Sequence, residues 1–208
     1  MRSLFFILSA IVLFGISLSW AENIDSVRDL PDEIKNARKG RLSLTDITLL
    51  DVSIGRDTLD NVRSRFGNVK VSLEPENSAS ANDEICYSSN NTADETRVIF
   101  GSGPMGGWSI VTTFQVLSRT SQNLLCTPSP RITRTIATQS GIRLYMPLKE
   151  LNAKLGRPTQ QGKGFAIYSF KQKSDHPGRE DFDMLSGVAV TIANARVTSF
   201  SVFLIESN

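Results

Sequence analysis

The segment Ile54-Gly55-Arg56-Asp57-Thr58-Leu59-Asp60-Asn61-Val62-Arg63-Ser64-Arg65-Phe66-Gly67 constrains the fold most, because its pattern returns 89 positions later. The second copy runs Arg143-Leu144-Tyr145-Met146-Pro147-Leu148-Lys149-Glu150-Leu151-Asn152-Ala153-Lys154-Leu155-Gly156. Leu59/Leu148 and Gly67/Gly156 are identical, and Val62/Leu151 and Phe66/Leu155 keep apolar places at i, i+3 and i+7, on one face of a helix. Each copy therefore predicts a short amphipathic helix. Asp57 or Thr58 can cap the first with a side-chain oxygen, and Pro147 suits the first position of the second. Each copy stops at a Gly able to take the left-handed backbone of a helix C-terminus.

The start of the chain speaks to compartment. Met1-Arg2-Ser3 leads into the apolar run Leu4 to Leu18 and then Ser19-Trp20-Ala21, before Glu22-Asn23. A basic start, an apolar stretch and small residues at the first and third places of Ser-x-Ala make a secretory signal peptide, cleaved after Ala21. The run falls short of the roughly 20 residues of a membrane span, so none is expected after cleavage; an uncleaved anchor is the alternative. The expected location is periplasmic or secreted. Arg2 is the one charged residue before Glu22, so the net charge of +2 becomes +1 in the mature chain. Such a balance, without long basic runs, lacks the footprint of a nucleic-acid binder. The cluster Lys35, Arg38, Lys39, Arg41 is mixed with Asp32 and Glu33 and reads as a solvated segment. Cys86 and Cys126 are the only cysteines. In an oxidising compartment they are expected to form a disulfide, with two buried free thiols as the alternative.

Read in order, residues 22–43 are a polar N-terminal arm punctuated by Pro31 and Gly40. Residues 44–54 suit a strand or extended lead-in to the first helix. After it, residues 69–84 read as a long surface loop. Strands are expected at Glu84–Ser89 and Thr96–Phe100, across a turn at Asn90–Glu95. A third runs from Trp108 to Leu117, with Trp108, Ile110, Thr112, Phe114 and Val116 on one side and Ser109, Thr113 and Gln115 on the other. Residues 119–131, whose Pro128 and Pro130 oppose regular structure, form a linker. The second half repeats the order: helix, a strand at Phe165–Phe170, a polar excursion, a strand at Met184–Ile192, a tight turn at Asn194-Ala195 and a strand at Arg196–Ile205. Tyr87 then corresponds to Tyr168, and Phe114 to Phe200. The expected class is α+β: two related repeats, residues 44–118 and 132–208, each a short helix packed on an antiparallel three- or four-stranded sheet.

The pattern from Ile54 to Gly67, followed by short strands, resembles the helix-plus-sheet repeat of the β-lactamase inhibitor proteins and of SmpA/OmlA-type outer-membrane assembly lipoproteins. The segment Phe100-Gly101-Ser102-Gly103-Pro104-Met105-Gly106-Gly107-Trp108 is similar to one in exported bacterial proteins of no assigned function. The resemblance covers roughly residues 42 to 205. It implies a unit used in tandem and employed in binding other proteins. Two departures stand out: no lipobox Cys is present, and each helix has a strand lead-in where the inhibitors open on a helix pair. No functional residue carries over.

Groups that could carry chemistry are few. Gly101-x-Gly103-x-x-Gly106 has the form of a dinucleotide fingerprint, but Pro104 lies inside it and a strand follows where the motif needs a helix N-terminus. It reads as a hairpin turn, and Met105 and Trp108 at its tip are the candidate partner-binding residues, against the alternative that Trp108 packs on the sheet. His176 is the only histidine, too few nitrogen ligands for a zinc site, and its loop reads as a solvated excursion. No Gly-x-Ser-x-Gly elbow is present. Asp57/Asp60 and Glu180/Asp183 are explained by capping and solvation. No metal or cofactor is expected. The sequence thus points to a non-enzymatic module that binds a protein of the cell envelope or outside the cell, an inhibitor or an assembly accessory. The rival is an envelope or extracellular hydrolase using paired carboxylates.

Overall fold

The computed structural model describes residues 36–69, 72–73, 83–103, 109–118, 126–174 and 181–207. The expected signal peptide, most of the arm, Met105 and Trp108 and the loop around His176 lie outside these residues.

The two stretches with helical spacing are helices, α1 at Leu59–Phe66 and α2 at Leu148–Leu155. Thr58 is the N-cap of α1, with a reciprocal box: its hydroxyl accepts from Asn61 N at 3.2 Å, while Asn61 Oδ1 accepts from Thr58 N at 3.0 Å. Pro147 sits at the N-cap of α2 and supplies no side-chain bond there. Gly67 and Gly156 end the helices with φ of 105° and 78°, values that cost a side-chain-bearing residue dearly.

Two eight-residue helices do not make the α+β class. The described chain is mostly β, and the expected pair of repeats, each with its own antiparallel sheet, is not what forms. The strands are β1 (Arg38–Lys39), β2 (Thr48–Leu49), β3 (Val52–Ser53), β4 (Ser72–Leu73), β5 (Asp83–Ser89), β6 (Arg97–Ser102), β7 (Thr113–Leu117), β8 (Thr127–Ser129), β9 (Gln160–Gly162), β10 (Phe165–Lys173), β11 (Asp183–Ala193) and β12 (Arg196–Ser207). Ten of them build one sheet with the order β1-β10-β11-β12-β7-β6-β5-β4, β8 adding to β5 and β9 to β10; β2 and β3 form a separate hairpin.

Backbone pairing is the reason for the difference. β7 and β12 pair antiparallel from Leu117↔Ser199 to Thr113↔Phe203, so the two halves of the chain share one ladder. The lead-ins then cross over. β1, from the start of the chain, lies parallel on β10, with Arg38 opposite Phe170. β8, from the linker, lies parallel on β5, with Tyr87 opposite Thr127. The arm therefore completes the edge of the second half and the linker that of the first, and neither half is a self-contained unit. Among the described residues only these two pairings are parallel, which makes the sheet mixed.

Side-chain alternation decides which face is spent on the core. Ile85, Tyr87, Val98, Phe100, Phe114, Val116, Phe200, Val202, Val188, Val190, Ala166 and Tyr168 share the inner face and belong to the main apolar cluster. The helices and lead-ins cover them through Leu49, Ile54, Val62, Phe66, Ile136, Ile142, Met146 and Leu151. Aromatic rings run across this layer from Tyr87 through Phe66, Phe100 and Phe114 to Phe200, with centroids 5.3 to 6.4 Å apart, within the range where tilted pairs attract. The expected alternation holds from Phe114 onward. Before it the phase inverts: Val111 is fully buried and Ile110 exposed. Gly55 N donates to Val111 O and Val111 N to Asp57 O, each at 2.8 Å, so residues 109–111 run along the first lead-in instead of extending β7.

The arm and the linker also anchor through side chains. Arg38 donates to Leu155 O at 2.6 Å, serving an unpaired carbonyl at the end of α2, and its guanidinium lies 4.5 Å from the Phe170 ring centroid. Ser186 Oγ accepts from Leu42 N at 3.0 Å. In the other half, Arg131 lies over Phe66 at 4.9 Å and pairs with Asp51 at 3.2 Å.

Candidate functional site

The second face of the sheet carries the residues that alternate with the core. Register places Cys86, Ile99, Gln115, Ser201, Ala189 and Ile167 in one row across it. Ser88, Arg97, Leu117, Ser199, Thr191 and Phe165 form the next. None of these side chains belongs to the main apolar cluster or packs against it.

In the middle of these rows stand small side chains, Ser199, Ser201 and Ala189, which are buried between longer neighbours. Ile99, Gln115 and Leu117 on one flank and Phe165 and Ile167 on the other are partly exposed. The rows thus combine small, buried side chains on β11 and β12 with partly exposed apolar ones on β6, β7 and β10, and Leu185 and Phe203 on the same face are buried. Thr191 Oγ1 lies 2.6 Å from Ser199 Oγ and 2.8 Å from Thr198 Oγ1, which fixes these hydroxyls in place. Farther along the face, Phe203 covers Gly187, where a Cβ would run into the Phe203 ring.

Charge sits at one end. Lys171 and Lys173 both reach Asp183, at 2.8 and 3.3 Å. The bond from Lys171 holds the Asp183 carboxyl below its ordinary value, with Lys173 acting the same way. At the other end Cys86 and Cys126 are bonded, Cα atoms 4.6 Å apart, one step beyond the β5–β8 pair Tyr87↔Thr127. The expected disulfide is therefore present and frames the face.

The sheet's margins are closed by short strands. The outer edge of β5 is taken by β4 at Asp83–Glu84 and by β8 at Tyr87–Ser89; that of β10 is taken by β9 at Phe165–Ile167 and by β1 at Phe170–Lys171. Short flanking strands leave little free edge for adding another chain.

The other candidates disperse. Met105 and Trp108 lie outside the described residues. Gly101 ends no phosphate loop: it lies in β6, where a Cβ would come within 2.7 Å of Thr113 Cγ2 across the ladder. Asp57 accepts from Ser53 N and pairs with Arg65 at 2.8 Å, and Asp60 pairs with Arg63 at 2.7 Å. Among the described residues no group of three His, Cys, Asp or Glu could hold a metal ion, and no helix is long and apolar enough to cross a membrane. No family model, curated protein or solved structure matches the chain. What sequence reasoning passed over is the outer row itself. Its signal was the set Thr113 and Gln115 opposite Phe114 and Val116, which marks a face turned from the core.

Proposed function

We propose that the chain is an exported binding module that docks another protein on the outer face of its sheet. One observation carries the reading: the inner face is used up by the core, while the outer rows alternate small hydroxyl and apolar side chains outside it. Partly exposed aliphatic side chains spread over one sheet face suit a protein surface, whereas small substrates are held in enclosed concave pockets. Aliphatic and Gln side chains around small polar ones can supply both anchors and register. The closed sheet margins direct recognition to the face and away from strand addition.

Export fits the disulfide and the signal-like Met1–Ala21, and the periplasm or the outside of the cell is the proposed location. Within that setting an inhibitor of an envelope enzyme or an assembly accessory is the work this face suits. The two described carboxylates with displaced values do not favour acid–base chemistry. Asp183 is held ionised by Lys171, and Asp94, despite burial that pushes it up, is brought down by hydrogen bonds from Thr96 and Arg134. A general acid needs the opposite displacement.

Photo-crosslinking tests the reading. A photoreactive residue placed at Gln115 in the whole chain should trap one discrete protein of the envelope or medium, while the same probe at exposed Lys149 on α2 should not. Equal yields at both positions, or none at Gln115, would count against it.

A further inference from the structure

The bond at the end of the outer face is placed to act as more than a staple. Cys126 and Thr127 are partly exposed and Pro128 is exposed, and Cys86 is half-buried on the partner-facing side of β5. β8 is three residues long and pairs with β5 through three positions, of which Pro128 donates no backbone hydrogen bond. The chain is anchored at the last residue of β8, the buried Ser129, and just downstream, where Ile132 is buried and Arg131 stacks on Phe66. The bond therefore closes a short, weakly laddered strand between two partly exposed cysteines and a firmly packed anchor.

We propose that Cys86–Cys126 is a reducible latch, opened by a dithiol oxidoreductase or a small dithiol, that releases β8 from β5 while the core stays folded. A thiolate of the reductant attacks one sulfur, forming a mixed disulfide, and the other cysteine leaves as thiolate and takes a proton. The reductant's second thiol then displaces the remaining cysteine. Two electrons and two protons pass to the protein, and the reductant ends as its own disulfide. With β8 free, Tyr87 to Ser89 lose their outer partner, and the end of the outer face at Cys86 and Ser88 becomes an open strand edge. The latch does not depend on the identity of any docking protein.

The test is amide NMR and hydrogen exchange on the full mature chain, disulfide-bonded and after reduction by dithiothreitol, with Cys86→Ser/Cys126→Ser as the permanently open form. The latch predicts that shift changes cluster at residues 85–89 and 126–131. The amides of Thr127 and Ser88, both in the β5–β8 pairing, should exchange at least a hundredfold faster than those of Val188–Val190 and Phe200–Val202 in the same sample, while Ser89, whose amide bonds to Thr96 O of the neighbouring segment, keeps its protection. Retained protection at Thr127 and Ser88 after reduction would show an inert staple. Loss of signal dispersion throughout the reduced chain would show that the bond holds the whole fold. A disulfide that dithiothreitol cannot reduce in the native chain would also overturn the proposal.

Discussion

Tyr168 shows how one residue couples the layers. Its ring is fully buried in the inner face and its hydroxyl donates to Asn152 Oδ1 of α2 at 2.6 Å. Burial pushes its ionisation up to about 12, with Arg38 pulling the other way. The unfolded tyrosine loses its proton near 10, so between the two values the folded chain binds more protons and stability falls as pH rises. Stability should be fully held below pH 10 and decline toward pH 12. In Tyr168→Phe that decline should shrink, leaving the part due to Tyr87, which burial displaces in the same direction; urea midpoints across this range measure it. The variant should also lose about 1 kcal/mol at neutral pH with the Asn152 bond. A full alkaline slope in Tyr168→Phe would contradict the assignment. Thr58→Ala, which removes the hydroxyl half of the α1 capping box, should cost about 1 kcal/mol, read as a drop in melting temperature with unchanged circular dichroism.

At the scale of elements, the crossed lead-ins carry the clearest expectations. Arg38→Ala removes both the bond to Leu155 O and the cover on Phe170 and should cost about 2 kcal/mol. Exchange protection should fall at Gly40 and Lys171 before it falls elsewhere. Loss of the Cys86–Cys126 bond, which closes a separation of 40 residues, should cost up to about 4 kcal/mol on the chain-entropy model, measured as a lower urea midpoint of the reduced chain. What was legible in the sequence were the elements with a local signal. The helix stripe of Leu59, Val62 and Phe66 and the alternation through Phe114 and Val116 both show it. So does the turn at Asn194-Ala195, where both residues have positive φ. The short added strands had none: Arg38–Lys39 is charged, and Thr127-Pro128-Ser129 holds a residue that usually ends strands. Their partners lie 132 and 40 positions away by register, at Phe170 and Tyr87, and no local pattern reports such a pairing. The phase inversion at Val111 has the same cause, since its bonds reach back to Gly55 and Asp57.

For the whole molecule, matched helices suggested two units, and the ladder between β7 and β12 makes them one. That continuity turns two half-sheets into a single face, and the proposed function rests on the same pairings. The outer rows were only half legible: Gln115 and Thr113 could be assigned to a face, but not Ser199, Ser201 and Ala189 across from them, because register between halves is a tertiary choice. A substitution such as Ile99→Arg puts a long cation beside Gln115 at a partly exposed place in the outer row and should abolish crosslinking from Gln115 while leaving the inner face packed. The most direct test is hydrogen exchange with mass analysis at rising urea on the oxidised chain. A single sheet predicts that β6–β7 and β11–β12 lose protection in one transition at the same urea concentration. Two separate transitions, one for each half of the chain, would contradict it.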